Sequence, residues 1–583
     1  MINQLRKILR SPIFYFAFFA GVYSIAQRLN DKSILEVISS DGRGCYAYLP
    51  ALLIYNDGSF EQSSKVEKSY YSNDIDQLYL FKNKEGKTYN KYFPGIAVLQ
   101  LPFFLLACFV SWIIGAPIDG YSSVFHWCYF IGSWCYFMVG IQLFASAIRR
   151  MFPESNRQFE WIIPLIYLAT PLLFYSISTP SFTHVYSFFL IGLFVIQIIK
   201  LREGLTKRKL LFLGITLGMV ILVRPTNITI LFIIPFLIGK NELFIERLKE
   251  LITLRNGYFL TTVLGTLSVL SVLFLSWKWQ TGNWLVWSYS GEGFNFTNPL
   301  IVTGLFSFRI GLFVHTPIVL LAFWGILTWY RKNAFQAIWW CVYFVINSWV
   351  IFSWWCWDYE SSFGNRPFVE HMGLILLPIF FMLQRKFILS VGIVSLCAVI
   401  GLIRFWEKST GFMVDQRYTK QNLLPSLQFW KAENSGRWNF TKSCKPFGKS
   451  NQTVVLLDDR TERVVSSSDE FTATVEYQLP KNRTNERYYV VVDLEKKIES
   501  FRFENVFLII DAISGDEKKR YYKSFDLFND REEGREEWAK LSFEVNVHDY
   551  LQEYDRVKIY IWNPGKKKFI LQNIKIVLEE YKS

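Results

Sequence analysis

The sequence predicts a polytopic α-helical membrane protein, with about eleven transmembrane helices, outer juxtamembrane helices and a C-terminal all-β sandwich. Three observations carry this. Apolar residues make up 51% of the 583 positions and aromatics 18%, while charged residues supply only 19%. Lys and Arg in the first 400 positions fall in short clusters between apolar runs, as orientation signals do. After Phe405 the texture changes to short alternating runs of strand length.

The first apolar span, Ile13 to Ala26, stands behind Arg6, Lys7 and Arg10, which favour the cytoplasm and carry the chain out to Asp41 on the far face. No small-x-small cleavage site follows it, so the span reads as a retained helix rather than a signal peptide. The first outer loop covers 29–123. Within it Asp41, Cys45, Tyr48 and Leu52 recur at helical spacing, which predicts one face of a short helix starting at Asp41 and closing at Asn56-Asp57-Gly58. A carboxylate at a bilayer interface is a functional candidate by default; a helix cap is the structural alternative. Lys91, in the run Tyr89 to Gly95, sits at the foot of an apolar stretch, placed to meet a lipid phosphate or to snorkel.

The stretch Phe93 to Ile114 is apolar enough to cross. Counting it as a span puts Arg149-Arg150, Lys200 to Lys209, Lys240 to Arg255, Arg331-Lys332 and Arg385-Lys386 on the wrong side. Laid along the outer face, or re-entrant, it returns all of these clusters to the cytoplasm. The expected spans are then the first one and 124–148, 160–176, 183–200, 209–223, 225–239, 258–276, 311–330, 334–352, 367–384 and 387–404. Two of them meet at Arg224-Pro225-Thr226-Asn227, where proline ends a helix and Arg224 either needs an anionic partner or snorkels. Residues 1–404 form the membrane domain, 405–450 a linker and 451–583 the β domain. Its strands are read at Phe471–Leu479, Tyr488–Asp493, Val506–Asp511, Leu541–Val547, Val557–Trp562 and Phe569–Leu578. The span count puts the N-terminus inside and this domain outside.

A net charge of +14 does not indicate nucleic acid, because no basic stripe runs along a soluble face. The eight cysteines are scattered without CxxC pairs, which speaks against disulfides and structural zinc. No ligand cluster supports a divalent metal, and cofactors stay unknown. Two outer segments combine aromatics, glycine and charge. One holds Trp287, Tyr289 and Glu292; the other holds Trp355, Trp357, Asp358, Glu360 and Arg366. Flat rings with a polar edge suit the C–H faces of sugars, and equally suit an interfacial belt. Tyr46, Tyr48 and His184 complete the candidate substrate-binding set.

An acidic residue opening a juxtamembrane helix (Asp41 to Ile54), a Lys-x-x-Pro entry (Lys91 to Pro94) into a second surface helix, many short-looped spans and a C-terminal β domain resemble the GT-C superfamily. Its members are integral-membrane glycosyltransferases that use polyprenyl-phosphate sugars, and the layout is similar to that of protein O-mannosyltransferases and lipid A aminoarabinose transferases. The resemblance covers residues 1 to about 404. It implies that Asp41 is the catalytic acidic residue and Lys91 a donor-phosphate contact. The chain follows Asp41 with Gly42 where the family often has a second acid. A polyprenyl phosphate leaves without protonation, so the chemistry needs a base for the acceptor hydroxyl and positive charge at the phosphate. Asp41 is the candidate base, and Lys91, Arg224 and Arg366 are the candidate clamps. The expected partners are the lipid-linked donor, a glycan, lipid or protein acceptor, and the membrane, in a bacterial inner membrane with the β domain periplasmic. The alternative function is a transporter, flippase or export subunit for a lipid-linked saccharide, which calls for charge inside the spans.

Overall fold

The computed structural model describes residues 12–31, 34–70, 79–83, 85–153, 156–289, 292–308, 310–357, 359, 363–409, 450, 452–479, 486–498, 506–513, 520–527, 538–546, 556–564, 566 and 568–582. Two compact units divide the chain, Met1–Ser409 and Thr410–Ser583.

In the first unit, α1 (Pro12–Asp31) leads to α2 (Asp41–Leu53) and α3 (Glu61–Tyr70), then to a hairpin of β1 (Leu80–Lys82) and β2 (Thr88–Asn90). Next come α4 (Gly95–Ile114), α5 (Ser123–Met151), α6 (Asn156–Leu168), α7 (Leu172–Ile177), α8 (Thr183–Leu201) and α9 (Lys207–Val223). A 3-10 run, Pro225–Ile233, continues into α10 (Ile234–Ile238), followed by α11 (Asn241–Ile252) and α12 (Tyr258–Thr281). The remainder is α13 (Ile301–Phe306), α14 (Leu312–His315), α15 (Ile318–Tyr330) and α16 (Ala334–Phe352), then a 3-10 turn (Arg366–His371), α17 (Met372–Ile375), α18 (Ile379–Arg385) and α19 (Phe387–Ser409).

Six described helices are long and apolar enough to cross a membrane: α4, α5, α8, α12, α16 and α19. A seventh is counted if Arg366–Ile375 and Ile379–Arg385, bent by 42°, form one span. Eleven unbroken spans are therefore not what the described residues form. Proline is the physical reason. Pro171, Pro317 and Pro378 interrupt apolar stretches that hydropathy alone reads as continuous, leaving short helices such as Phe159–Leu168 and Ile318–Tyr330, while on either side of Arg224 the segments Lys207–Val223 (17 residues) and Pro225–Ile238 are themselves short. By length and composition α4 qualifies as crossing. Its contacts nevertheless set it beside α2, running the same way: it begins next to Tyr92, which accepts from Tyr48 Oη at 2.6 Å, and the loop after it meets the α2 end, where Tyr55 Oη donates to Asp119 O at 2.9 Å.

Close helix contact depends on small residues. Gly214 and Gly218 of α9 lie where a Cβ would stand 2.2 Å from Thr262 O and 2.8 Å from Thr266 O of α12. That fit lets the two backbones touch and fixes the end of α12, where Gln280 accepts from the Asn90 amide at 2.8 Å.

The second unit stacks two antiparallel sheets. One has the order β5-β10-β7-β8 (Phe471–Gln478, Arg556–Trp562, Phe507–Ile513, Arg520–Asp526). The other has β3-β11-β6-β9 (Gln452–Asp459, Phe569–Lys582, Glu486–Ile498, Ala539–Asn546), with β4 (Arg463–Val465) also pairing β11. Alternate residues of both sheets, among them Val490, Val492, Leu508, Ile510, Val557 and Ile559, share one core, the period-2 pattern of a sandwich. Strands β3, β4 and β8 were not expected from the sequence: β8, RYYKSFD, is too charged to announce itself.

The start of α2 is the part of the fold that matters most for a site. A Cβ at Gly42 would lie 2.2 Å from Ser181 Oγ, and one at Gly44 would lie 2.3 Å from the Tyr92 ring. These glycines let α2 seat against the α7–α8 loop and the hairpin. Gly42→Ala should destabilise the purified protein by about 1–3 kcal/mol through overpacking. Adding Ser181→Gly should recover part of the loss, read as thermal unfolding midpoints in detergent.

Candidate active site

Asp41 is the first residue of α2, as its spacing with Cys45, Tyr48 and Leu52 predicts. Its carboxylate does not cap the helix. The N-cap position belongs to Ser40, at φ 48°, and no side chain caps α2. Instead Tyr92 Oη donates to Asp41 Oδ1 at 2.6 Å, and Arg366 Nη2 stands 3.5 Å from Oδ2. A third of the Asp41 side chain (34%) stays accessible. Burial pushes its pKa up, but Arg366, the Tyr92 hydroxyl, Lys91 and His184 together outweigh burial and hold it below its ordinary value. Burial and the neighbouring carboxylate push the Tyr92 phenol far up, so Tyr92 stays a donor.

The hairpin fixes the lysine beside it. The Lys91 amide donates to Tyr79 O at 2.8 Å, and the neighbouring Asn90 donates through Nδ2 to Gly44 O at 2.7 Å, tying the hairpin end to α2. The ammonium of Lys91 pairs with Glu292 and lies 5.7 Å from the Tyr92 ring and 5.3 Å from the Tyr289 ring. Arg224 ends α9 in extended conformation, and its guanidinium meets Glu370 at 3.5 Å. Glu370 is thus the anionic partner of Arg224. The Glu370 side chain, 1% exposed, also bonds His184 Nδ1 at 2.7 Å, while His371 Nδ1 is 2.8 Å from Tyr343 Oη. Arg224 and Arg366 each lie 5.9 Å from the ring of Tyr359, a buried residue at φ 51°. Non-glycine residues rarely adopt positive φ, and two such positions, Ser40 and Tyr359, border the cluster.

The structure therefore brings Asp41, Lys91, Tyr289, Glu292 and Arg366 together, and links Arg224 and His184 to them through Glu370 and Tyr359. Arg366, expected at a phosphate, is engaged with Asp41. His184 is buried against Tyr175, ring centroids 4.8 Å apart, and bonded to Glu370. Tyr46 is buried and donates to Gly120 O at 2.5 Å, and Tyr48 donates to Tyr92 O; both phenols are spent on backbone. Trp287 and Trp355 are 71% and 56% exposed, and Trp357 is half-buried. Asp358 and Glu360 lie outside the described residues. Sequence reasoning missed Glu370, Tyr92 and Tyr359. Glu370 had a signal: it is a lone carboxylate four residues after Arg366 in an apolar run. Among the described residues no three His, Cys, Asp or Glu side chains gather as a metal-ligand cluster.

No protein-family model matches the chain, and no curated protein matches it. Among solved structures it is similar to the arabinosyltransferase EmbB from Mycobacterium smegmatis, with 9% identity and a TM-score of 0.32, over 79% of this chain and 58% of that one. The chain thus spans less than two thirds of that protein's length.

The depressed pKa of Asp41 makes the fold's stability depend on pH. Its folded value lies below the ordinary 3.8, so its pairing stabilises the fold above that pH and is lost as pH falls through the lower folded value. Arg366→Gln removes the leading opposing charge and should move Asp41 protonation to higher pH. The infrared band of the protonated carboxyl, identified by its absence in Asp41→Asn, should then appear at higher pH in Arg366→Gln than in wild type.

Proposed function

We propose that this protein is a membrane glycosyltransferase that moves a sugar from a polyprenyl-phosphate donor to an acceptor hydroxyl on the outer face of the membrane, with Asp41 as general base. The observation that carries this reading is the engagement of Asp41. Its carboxylate is held by Tyr92 and Arg366 instead of by the helix it begins, and keeps accessible surface beside Lys91. A side chain spent on capping would face the backbone N–H groups of its own helix.

The step balances without a general acid. The acceptor oxygen forms the new bond to the anomeric carbon while the bond from that carbon to the phosphate oxygen breaks. Polyprenyl phosphate departs with the electron pair, and the hydroxyl proton passes to Asp41. A carboxylate of depressed pKa is a weak base, so the proton moves late, when the attacking oxygen has already become acidic. Lys91 meets the departing phosphate in this reading, with Arg224 and Arg366 supplying further positive field. The exposed rings of Trp287 and Trp355 offer faces for a sugar or a lipid. The N-terminus is cytoplasmic and the β domain extracytoplasmic in this reading, which follows from the basic loop clusters. Passage of a lipid-linked saccharide is the alternative, and the first test below separates the two.

Asp41→Asn keeps shape and removes the proton acceptor, so transfer from a polyprenyl-phosphate sugar should fall by roughly 100-fold or more. Donor binding should persist. Wild-type transfer by Asp41→Asn would remove the base assignment, and an Asp41→Asn protein that still translocates donor would favour transport. For the topology, a cysteine replacing Ser467 in a cysteine-free background should react with an impermeant thiol reagent in intact cells or spheroplasts. Labelling that appears only after permeabilisation would reverse the assigned side.

A further inference from the structure

We propose that the Glu292 carboxylate is an internal stand-in for phosphate, occupying Lys91 until a phosphate-bearing ligand displaces it; this rests on the reading of Lys91 as the donor-phosphate contact. Lys91 and Glu292 form an ion pair with side chains 16% and 19% exposed, and the Tyr92 and Tyr289 rings stand beside the ammonium. The three carboxylates of the site are not held alike. Asp41 has two partners, Tyr92 and Arg366, and Glu370 has two, Arg224 and His184. Among the described residues the Glu292 carboxylate has Lys91 alone.

The exchange is charge-neutral for the site. The lipid-linked donor is a phosphodiester and presents one negative charge and two acceptor oxygens to the ammonium, as a carboxylate does; a phosphomonoester probe, at about −1.5 to −2, competes for the same ammonium with more charge. Lys91 therefore keeps a partner throughout, and only Glu292 returns to water. A ligand that must compete with an internal anion binds with an apparent affinity reduced by the fraction of sites the anion occupies. Removing the Glu292 charge should thus strengthen phosphate binding. A residue that helps to hold substrate would show the opposite sign.

The test uses the full-length protein in detergent micelles and farnesyl phosphate as probe, with binding read by calorimetry and farnesol as control. Glu292→Gln should bind farnesyl phosphate more tightly than wild type by roughly threefold or more, the scale of a half-buried charge pair. Lys91→Gln should bind more weakly, and Lys91→Gln with Glu292→Gln should show no gain over Lys91→Gln alone. Glu292→Ala should repeat the sign of Glu292→Gln, which guards against a local effect of the amide. Inorganic phosphate distinguishes the source: equal tightening by Glu292→Gln supports displacement by a free anion, and tightening confined to farnesyl phosphate supports displacement by a lipid headgroup. If Lys91→Gln weakens binding but Glu292→Gln also weakens it or leaves it unchanged, the stand-in is overturned while the phosphate reading of Lys91 stands. If neither substitution changes binding, both are overturned.

Discussion

Among the described residues every charge of this site is matched, and the rest of the site follows from that. Three cations and three carboxylates pair one to one: Arg366 with Asp41, Lys91 with Glu292, and Arg224 with Glu370. An unmatched ion withdrawn from water costs several kcal/mol, a sizeable part of a domain's whole stability. The partners come from segments far apart in sequence: the start of α2, the hairpin end, the end of α9, the stretch after α12 and the turn before α17. Matching their charges therefore fixes where those five segments meet. Because the pairs are balanced, a bound anion has to replace a carboxylate or share its cation.

The apolar frame makes that meeting point rigid. Gly214 and Gly218 close α9 onto α12, which sets Gln280 against the hairpin and so holds Lys91 and Tyr92 in register. Gln100 of α4 donates through Nε2 to Tyr129 O at 3.1 Å and to Tyr186 Oη at 2.6 Å, joining α4, α5 and α8 by polar contacts within an apolar core. Such bonds cannot be traded for water there, so they specify one packing. The positive φ of Ser40 and Tyr359 is sustained by this frame, next to Asp41, the proposed base, and Arg366, the guanidinium that holds it.

Much of this was legible from residue order, and the losses have physical causes. The α2 start at Asp41 and its end near Asn56 follow from spacing and turn chemistry, and for Arg224 an anionic partner was one of two readings, beside snorkelling. The identity of that anion was not legible. Glu370 reaches Arg224 only because a bent helix pair carries it there, and pairing across the fold leaves no periodic trace in the chain. Arg366 illustrates the same limit: it was expected at a phosphate, and its engagement with Asp41 leaves no trace in the order of residues. The count of about eleven spans is not confirmed, and at Pro171, Pro317 and Pro378 the reason is local, since hydropathy averages over prolines that the backbone cannot ignore. In the β unit, strands with clean alternation were legible, whereas charged β8 and the short β4 take their strand identity from neighbouring strands.

Gly42 shows how packing and charge reach the same answer. A second acid after Asp41 would put its Cβ 2.2 Å from Ser181 Oγ and 2.9 Å from Ser181 O, on a loop tied to the chain before α2 through the Ser39 and Ser181 hydrogen bonds. The backbone oxygen cannot move aside as a flexible side chain could. Even if it did, the added carboxylate would be a fourth negative charge against three cations among the described residues, each of which already has a partner. A single carboxylate at this turn is therefore what both steric space and charge balance allow. Whatever Asp41 does, it does without an acidic neighbour in sequence, relying on Tyr92 and Arg366 to set its position and its charge.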